Sequence, residues 1–237
     1  MKPAAITIDA LLVGQVALPS DGRTRSGILK SPVDGALWLS STGLQGDAQA
    51  DLRVHGGVEK AVHHYPREHY AGWASWSRRA DLLGRAGAFG ENISTTGWDE
   101  SKVCIGDVVR IGEALAQVSQ GRQPCWKLDL RFGEPGMARE MQSRGCTGWY
   151  YRTLEPGWVR NGAALTLVER PHPEWPLSRL IALLFSRDER FAPEWERAAE
   201  IPALAERWRQ TFRKRVTSMR VEDWTPRLEA PPPEAQA

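Results

Sequence analysis

The chain has 237 residues, 41% of them hydrophobic, which is enough for one sizeable core and a small additional unit. Its 31 lysines and arginines barely outnumber its 29 aspartates and glutamates and are spread along the chain, which argues against a nucleic-acid-binding protein. The sequence shows no apolar run that could cross a bilayer and no signal-peptide cleavage site near its start, so we expect a cytoplasmic enzyme or binding protein without a membrane partner.

The first half of the chain is predicted to form short strands separated by turns. Alternating apolar residues and turn residues predict strands at 5–16, 25–30 and 36–39. A loop rich in glycine and aspartate follows at 43–57, and tyrosine and tryptophan at helical spacing predict a helix at 67–76. Loops of this length in compact domains often line functional sites.

The next part of the chain continues the pattern of short elements. Segment 102–112 reads as two short strands around a Gly-Asp turn, which places Cys104 in an apolar strand as a structural residue. The further elements are expected in the order strand 115–118, helix 134–144, strand 147–154, turn 157–162 and strand 164–169. Strands this short and this closely spaced fit a folded-over barrel better than an α/β sandwich.

The character of the sequence changes at Pro171. Three helical patterns follow, each starting at or near a proline, at 177–185, 193–200 and 202–216. The sequence thus predicts a barrel domain at 1–170, a three-helix domain at 171–220 and a disordered tail at 221–237, where proline, glutamate and alanine dominate.

The cysteines and histidines do not show a zinc or disulfide pattern. The three cysteines are odd in number and widely spaced: Cys104, Cys125 and Cys146. Four of the histidines lie between positions 55 and 69, but their spacings do not match a zinc-binding helix. We therefore predict neither a disulfide scaffold nor a histidine-bound metal.

Cys125 is the leading candidate for chemistry. It follows the end of a predicted strand on a turn made by Gly121 and Pro124, and Arg122 and Lys127 flank it. Positive charge near the sulfur favours thiolate over thiol, which is the form that attacks electrophiles and binds metals. The alternative is that Cys125 is a small buried hydrophobic side chain, as free cysteines usually are. The basic, turn-bound setting favours the reactive or ligating interpretation.

Two glycine-containing turns are candidate ligand contacts. In the first, Gly56 and Gly57 can expose backbone N–H groups to an anion, while His55 and Lys60 can add charge-assisted contacts. A plain turn is the alternative for this glycine pair. In the second, at 87–93, glutamate and asparagine offer hydrogen-bonding groups on backbone that only small neighbours permit.

In combination, these motifs resemble the MOSC family, and within it the bacterial YiiM type, over roughly residues 10–215. The resemblance rests on the order and spacing of Gly46-Asp47, Asp51, His55-Gly56-Gly57, Lys60-Ala61-Val62, Tyr65, 87–92, 103–107, 120–128, Arg131-Phe132 and Gly148-Trp149-Tyr150. It implies a mostly β fold: a MOSC-type β-barrel with short helices, followed by a small three-helix C-terminal domain.

The resemblance also implies a molybdenum-pterin cofactor. The family's cysteine that matches Cys125 gives a thiolate to molybdenum, and thiolate is a soft ligand suited to such a metal centre. The implied contacts to the cofactor's phosphate are His55, Gly56, Gly57, Lys60 and Arg122, and Lys127 is implied as a further cofactor-binding residue. The implied contacts to the pterin are Gly90, Glu91 and Asn92.

The implied reaction is the detoxifying reduction of N-hydroxylated compounds, with bases of the 6-hydroxylaminopurine type as substrates. The sequence has no iron–sulfur cysteine cluster and no dinucleotide fingerprint, so the electrons are expected from a separate reductase. A second hypothesis is a non-catalytic carrier that holds sulfur as a Cys125 persulfide, or holds the cofactor through the thiolate. A third, a simple thiol enzyme, is disfavoured because the sequence shows no convincing histidine and acid partner.

Overall fold

The computed structural model describes residues 5–18 and 21–231. The strands are β1 (Ala5–Val13), β2 (Ser31–Pro32), β3 (Ala36–Ser40), β4 (Gly43–Leu44), β5 (Val62–Pro66), β6 (Ile93–Thr95), β7 (Val108–Ile111), β8 (Ala114–Gly121), β9 (Trp149–Glu155), β10 (Gly157–Arg160) and β11 (Ala164–Glu169). The α-helices are α1 (Leu52–His55), α2 (His69–Ala74), α3 (Ala80–Leu83), α4 (Lys127–Phe132), α5 (Met137–Arg144), α6 (Leu177–Phe185), α7 (Ala192–Ala199), α8 (Glu206–Ser218) and α9 (Thr225–Leu228). Short 3₁₀ turns lie at Val58–Lys60 and Glu189–Phe191.

Most of the longer strands close into one barrel, in the order β11-β7-β8-β9-β5-β6-β1 and back to β11. β1 closes it, because its first residues pair with β11 and its middle pairs with β6, both antiparallel. The β5–β6 pair is parallel, and β10, β3 and β4 form a separate small sheet. The predicted barrel with short helices and C-terminal helices is confirmed, and no helix in the described ranges is long and apolar enough to cross a membrane.

The C-terminal helices pack directly on the barrel. Buried residues of α6, α7 and α8 belong to the same hydrophobic cluster as the barrel strands. At the end of β8, Gly121 leaves no room for a methyl group, which would stand 2.8 Å from Ile181 Cγ1 and 3.2 Å from the Trp208 ring. The Ala205 amide, just before α8, donates to the Ser119 carbonyl at 2.8 Å. The division predicted near residue 170 therefore does not coincide with a break in the core.

Three local predictions differ from the structure because partners distant in the chain decide the outcome. Segment 25–30 forms no strand, and Cys104 makes only an isolated bridge to Pro176. Segment 157–160, predicted to be part of a turn, is strand β10, because it pairs residue for residue with β3, including Trp158 opposite Trp38. Composition alone cannot reveal a pairing across about 120 positions, whereas it does capture turns formed by neighbouring residues.

The C-terminal strap, which we define as residues 219–231, corrects the prediction of a disordered tail at 221–237. It contains α9, and Leu228 is buried in one cluster with Leu128 and Phe132. The fully buried Arg215 of α8 binds both carboxylate oxygens of Glu222, at 2.9 and 2.7 Å. A few apolar and charged contacts thus order a segment whose composition is typical of disorder. Residues 232–237 of the predicted tail lie outside the described residues.

Buried His64 gives the fold a predictable dependence on pH. Its ring nitrogens bond the Tyr151 hydroxyl at 3.0 Å and the Thr95 hydroxyl at 2.7 Å, and burial lowers the pKa of His64 from its ordinary 6.5 to about 3. The unfolded chain therefore binds more protons than the folded one between these values. The resulting stabilisation is present above pH 6.5 and is lost as the pH falls toward 3.

We expect a His64→Gln variant to lose less stability on acidification than the wild type. Between pH 7 and pH 5 its free energy of unfolding should fall by about 2 kcal/mol less, because it lacks the His64 contribution. Urea unfolding at both pH values measures this difference. The control Val109→Ala removes buried apolar groups but no titratable one, so it should lower stability and keep the wild-type pH dependence. Equal pH dependence in wild type and His64→Gln would contradict the expectation.

Candidate active site around Cys125

Cys125 lies on the turn between β8 and α4, as the sequence predicts. β8 ends at Gly121, the Arg122 amide donates to the Gly148 carbonyl of the neighbouring chain segment at 3.0 Å, and α4 begins at Lys127. The intervening residues have no regular structure, and Cys125 is only partly buried. The thiol is therefore held at a fixed place on the barrel and remains accessible.

A recess opens beside this thiol. Many of the residues singled out from the sequence line it: His55, Lys60, Gly90, Asn92, Arg122, Cys125 and Lys127. They come from the α1 region, the 3₁₀ turn after it, the loop before β6 and the turn after β8. Closure of the barrel brings these segments together, although they span more than 70 positions of the sequence.

His55 is the nearest titratable neighbour of the thiol. Its Nε2 lies 3.7 Å from Cys125 Sγ. Burial, together with the positive charges of Lys127, Lys60 and Arg122, lowers the pKa of His55 to about 4. The imidazole is therefore neutral at neutral pH, and it can accept a hydrogen bond from the thiol or donate one to a thiolate. The sequence did not reveal this cysteine–histidine pair, because the two residues are far apart in the chain.

Comparison with known proteins identifies the family. Residues 51–166 match the family model of the MOSC domain, and residues 175–218 match the model described as YiiM-like, 3-alpha helix domain. Protein YiiM of Escherichia coli is 42% identical over 217 residues, which are 91% of this chain and 95% of YiiM. The chain belongs to the MOSC domain family.

Two further matches describe the extent of the likeness. The crystal structure of YiiM from Escherichia coli superimposes with a TM-score of 0.80 at 35% identity, over 96% of this chain and 100% of that one. A protein of Gibberella moniliformis named Reductase is 37% identical over 168 residues, which are 70% of this chain and 30% of the fungal protein. A segment similar to this chain therefore also occurs within a much longer protein.

Three cations that line the recess have no carboxylate partner among the described residues. Lys60 Nζ donates to the Val54 carbonyl at 2.5 Å, Arg122 to the Phe89 carbonyl at 2.7 Å, and Lys127 to the Arg25 carbonyl at 3.1 Å. None of the three forms an ion pair with a carboxylate of the described residues. Burial and the nearby Arg207 lower the pKa of Lys60 to about 8, while Cys125 opposes that shift. The site thus has excess positive charge and favours an anionic ligand.

Glu91, Gly56 and Gly57, which were also predicted as cofactor contacts, are not among the residues that line the recess. The Glu91 side chain is fully buried and accepts hydrogen bonds from the Gly87 amide at 2.7 Å, the Phe89 amide at 3.1 Å and the Tyr70 hydroxyl. The Glu91 carboxylate thus provides hydrogen-bond acceptors for the backbone N–H groups of its own glycine turn. Gly57 faces a separate groove beside exposed tryptophans, and a methyl group on Gly56 would stand 2.9 Å from the Leu52 side chain.

Several recess residues were missed from the sequence. Lys30 binds Asp47 at 2.5 Å, and burial lowers the pKa of Lys30 while Asp47 opposes the shift. The same Asp47 carboxylate accepts a hydrogen bond from Asn92 Nδ2 at 2.9 Å, which fixes the Asn92 side chain at the edge of the recess. Tyr150 packs against the His63 ring with 5.0 Å between centroids. Tyr150 had a signal, since it belongs to a motif quoted above, but Lys30 had none and precedes the MOSC match.

Proposed function

We propose that the chain is a molybdenum-cofactor-dependent oxidoreductase that reduces N-hydroxylated compounds, with bases of the 6-hydroxylaminopurine type as substrates and a separate reductase as electron donor. The observation that carries the proposal is a partly exposed thiol that lies beside a neutral histidine and near Lys60, Arg122 and Lys127, which form no ion pair within the described part of the chain. MOSC membership supports the cofactor, since MOSC domains are associated with molybdenum-cofactor binding.

The residues around Cys125 fit a molybdenum-pterin cofactor chemically. The cofactor is anionic through its phosphate, and Lys60, Arg122 and Lys127 supply the positive charge that would hold it. The thiolate of Cys125 is the soft donor that would bind the metal. In the described part of the chain no three His, Cys, Asp or Glu side chains gather as a metal site, so the remaining ligands would have to come from the pterin. Gly90 and Asn92, which also line the recess, would contact the pterin.

The reaction needs two electrons and two protons for each N–O bond that breaks. The substrate R–NHOH takes up both and gives R–NH₂ and water. When bound, the cofactor supplies the electron-transfer and oxygen-removing chemistry. The protein would bind and orient the substrate, and the neutral His55 beside Cys125 would accept a hydrogen bond from the N–OH group, while both protons come from the solvent. Tyr150, which lines the recess, offers a flat surface against which a purine could stack.

A separate electron donor agrees with two observations. The sequence has neither an iron–sulfur cysteine cluster nor a dinucleotide fingerprint, so it offers no internal route for electrons from a nicotinamide cofactor. The related fungal protein is named Reductase, and the part that resembles this chain makes up 30% of it. This chain would obtain its electrons from a separate reductase. A longer protein can carry an electron-donating part within the same chain.

Amine formation from 6-hydroxylaminopurine tests the proposal. Cofactor-loaded protein given a chemical reductant or a flavoprotein reductase should form adenine, and loaded protein given only a nicotinamide cofactor should not. Protein purified from a host that cannot make the cofactor is the control and should be inactive. Loaded, reduced protein that forms no amine from this base or from simpler hydroxylamines would refute the proposal.

The carrier hypothesis is the second candidate, because a partly exposed thiol among cations would also suit a persulfide. It predicts that the loaded protein transfers sulfur or intact cofactor to an acceptor enzyme without reducing the base. Mass spectrometry of Cys125 before and after mixing with an acceptor distinguishes the two functions. The third hypothesis, a simple thiol enzyme, was disfavoured because no histidine partner was evident, but His55 lies 3.7 Å from Cys125. Activity that persists without cofactor would support this hypothesis.

A further inference from the structure

The C-terminal strap reaches back to the turn that carries Cys125. The Arg227 guanidinium donates to the Pro124 carbonyl, and the Trp126 amide donates to the Arg227 carbonyl at 2.9 Å. Pro124 and Trp126 are the two chain neighbours of Cys125, so one residue of the strap binds the backbone on both sides of the cysteine. The same guanidinium donates to Gln142 Oε1 at 2.5 Å, which ties it to α5 as well.

The strap is anchored to the rest of the protein on both sides of Arg227. On one side, Glu222 binds the buried Arg215 of α8, and Trp224 Nε1 donates to Glu222 at 3.0 Å. On the other side, Leu228 is buried in the cluster that contains Leu128 of α4. The strap begins beyond residue 218, so it lies outside both segments that match a family model. The position of Arg227 is therefore determined by packing, although neither family match covers it.

Arg227 also brings charge to the cysteine. It is half-buried and forms no ion pair with a carboxylate in the described ranges of the chain. Burial lowers the pKa of Arg227 to about 10, and the interaction with Cys125 opposes that shift. The exposed Arg207 of α8 is a second charge near this site, since it contributes to lowering the pKa of both Arg227 and Lys60.

We propose that Arg227 is a positioning residue of the cysteine site: it fixes the two peptide groups that flank Cys125, and its positive charge draws anionic molecules to the sulfur. The C-terminal strap is then part of the functional site. The proposal concerns the cofactor-free protein, so it stands or falls independently of the reaction proposed above.

Alkylation of Cys125 in the cofactor-free protein distinguishes the loss of the Arg227 charge from a loosening of the turn that carries Cys125. Anionic iodoacetate and neutral iodoacetamide both react with the thiolate, so at one pH the ratio of their rates reports the local field. The ratio should fall about threefold to tenfold in Arg227→Ala, as expected for the loss of one charge that interacts with the sulfur. A turn that is merely loosened changes both rates alike and leaves the ratio unchanged. Peptide mass spectrometry assigns the label to Cys125.

Three companion measurements complete the test. Arg227→Lys keeps the charge and should keep most of the wild-type ratio, whereas Arg227→Gln should behave like Arg227→Ala. Glu229→Gln, also in the strap, removes an exposed ion pair with Arg139 of α5. It should change neither the ratio of alkylation rates nor the exchange at Trp126. Hydrogen exchange at the Trp126 amide should accelerate by about tenfold or more in Arg227→Ala, as its backbone acceptor is no longer held in place. A wild-type ratio in Arg227→Ala and Arg227→Gln, or unchanged exchange at Trp126, overturns the proposal.

Discussion

Replacing Cys125 by serine is expected to abolish molybdenum-dependent reduction and to lower the molybdenum content of the loaded protein to background. A serine hydroxyl is a hard donor that stays protonated at neutral pH, so it cannot replace a soft thiolate as a metal ligand. The recess would keep its cations and His55, and therefore its shape and charge. The loss should appear in both metal analysis and amine formation.

The other two cysteines provide matched controls. Cys104 is buried, its Sγ donates to the Pro173 carbonyl at 3.7 Å, and burial raises the pKa of its thiol. Cys146 Sγ donates to the Arg144 carbonyl at 3.7 Å, and neither cysteine lines the recess. Serine at either position should leave most of the activity. Equal loss on replacing Cys104, in a variant that melts like the wild type, would show that Cys125 is not the ligand.

Trp208→Ala is expected to cost about 3–5 kcal/mol of unfolding free energy, the range typical of a buried tryptophan truncated to alanine. Trp208 is 1% exposed and packs against Gly121 at the end of β8 and against Phe212. The lost contacts belong to the barrel as well as to α8, because both contribute to one hydrophobic cluster. Urea unfolding followed by fluorescence and by circular dichroism should show one shared transition at lower denaturant concentration.

Trp158→Ala is the control for this substitution. Trp158 is 45% exposed, and its main aromatic contact is an edge-to-face pair with Trp38 at 5.4 Å. Its loss should cost about 1 kcal/mol, as expected for a surface aromatic pair. Two separate transitions in the wild type, of which only one responds to Trp208→Ala, would mean that the helices form an independent domain, as the sequence predicts.

Elements with a strong local pattern could be predicted to the residue. β11 (Ala164–Glu169) and α6 (Leu177–Phe185) have the bounds read from the sequence, because turn residues and prolines flank a clear apolar period. The turn at Cys125 was equally visible, since Gly121 and Pro124 define it locally. Chemical character that depends on a few neighbouring residues is therefore accessible from the sequence alone.

Contacts between distant segments were not accessible. The pair of His55 and Cys125 joins residues 70 positions apart, and the contact from Arg227 to Pro124 joins residues 103 positions apart. Glu91 shows a different limit, because the sequence identifies a hydrogen-bonding group but not the direction in which it points. In the structure it faces its own turn. Composition also failed for the C-terminal strap, where Leu228 and Arg227 make contacts that the average over the segment conceals.

The double pairing of β1 constrains the order in which the barrel can assemble during synthesis. β1 is made first, yet it pairs with β6, about 85 positions later, and with β11, about 160 positions later. Until β11 leaves the ribosome, β1 has an unpaired edge, and such edges recruit other chains. The long loops that must close also slow folding relative to helical proteins of similar size. The nascent chain is therefore most prone to aggregation before residue 169 emerges, and a chaperone that covers its first strand would protect it.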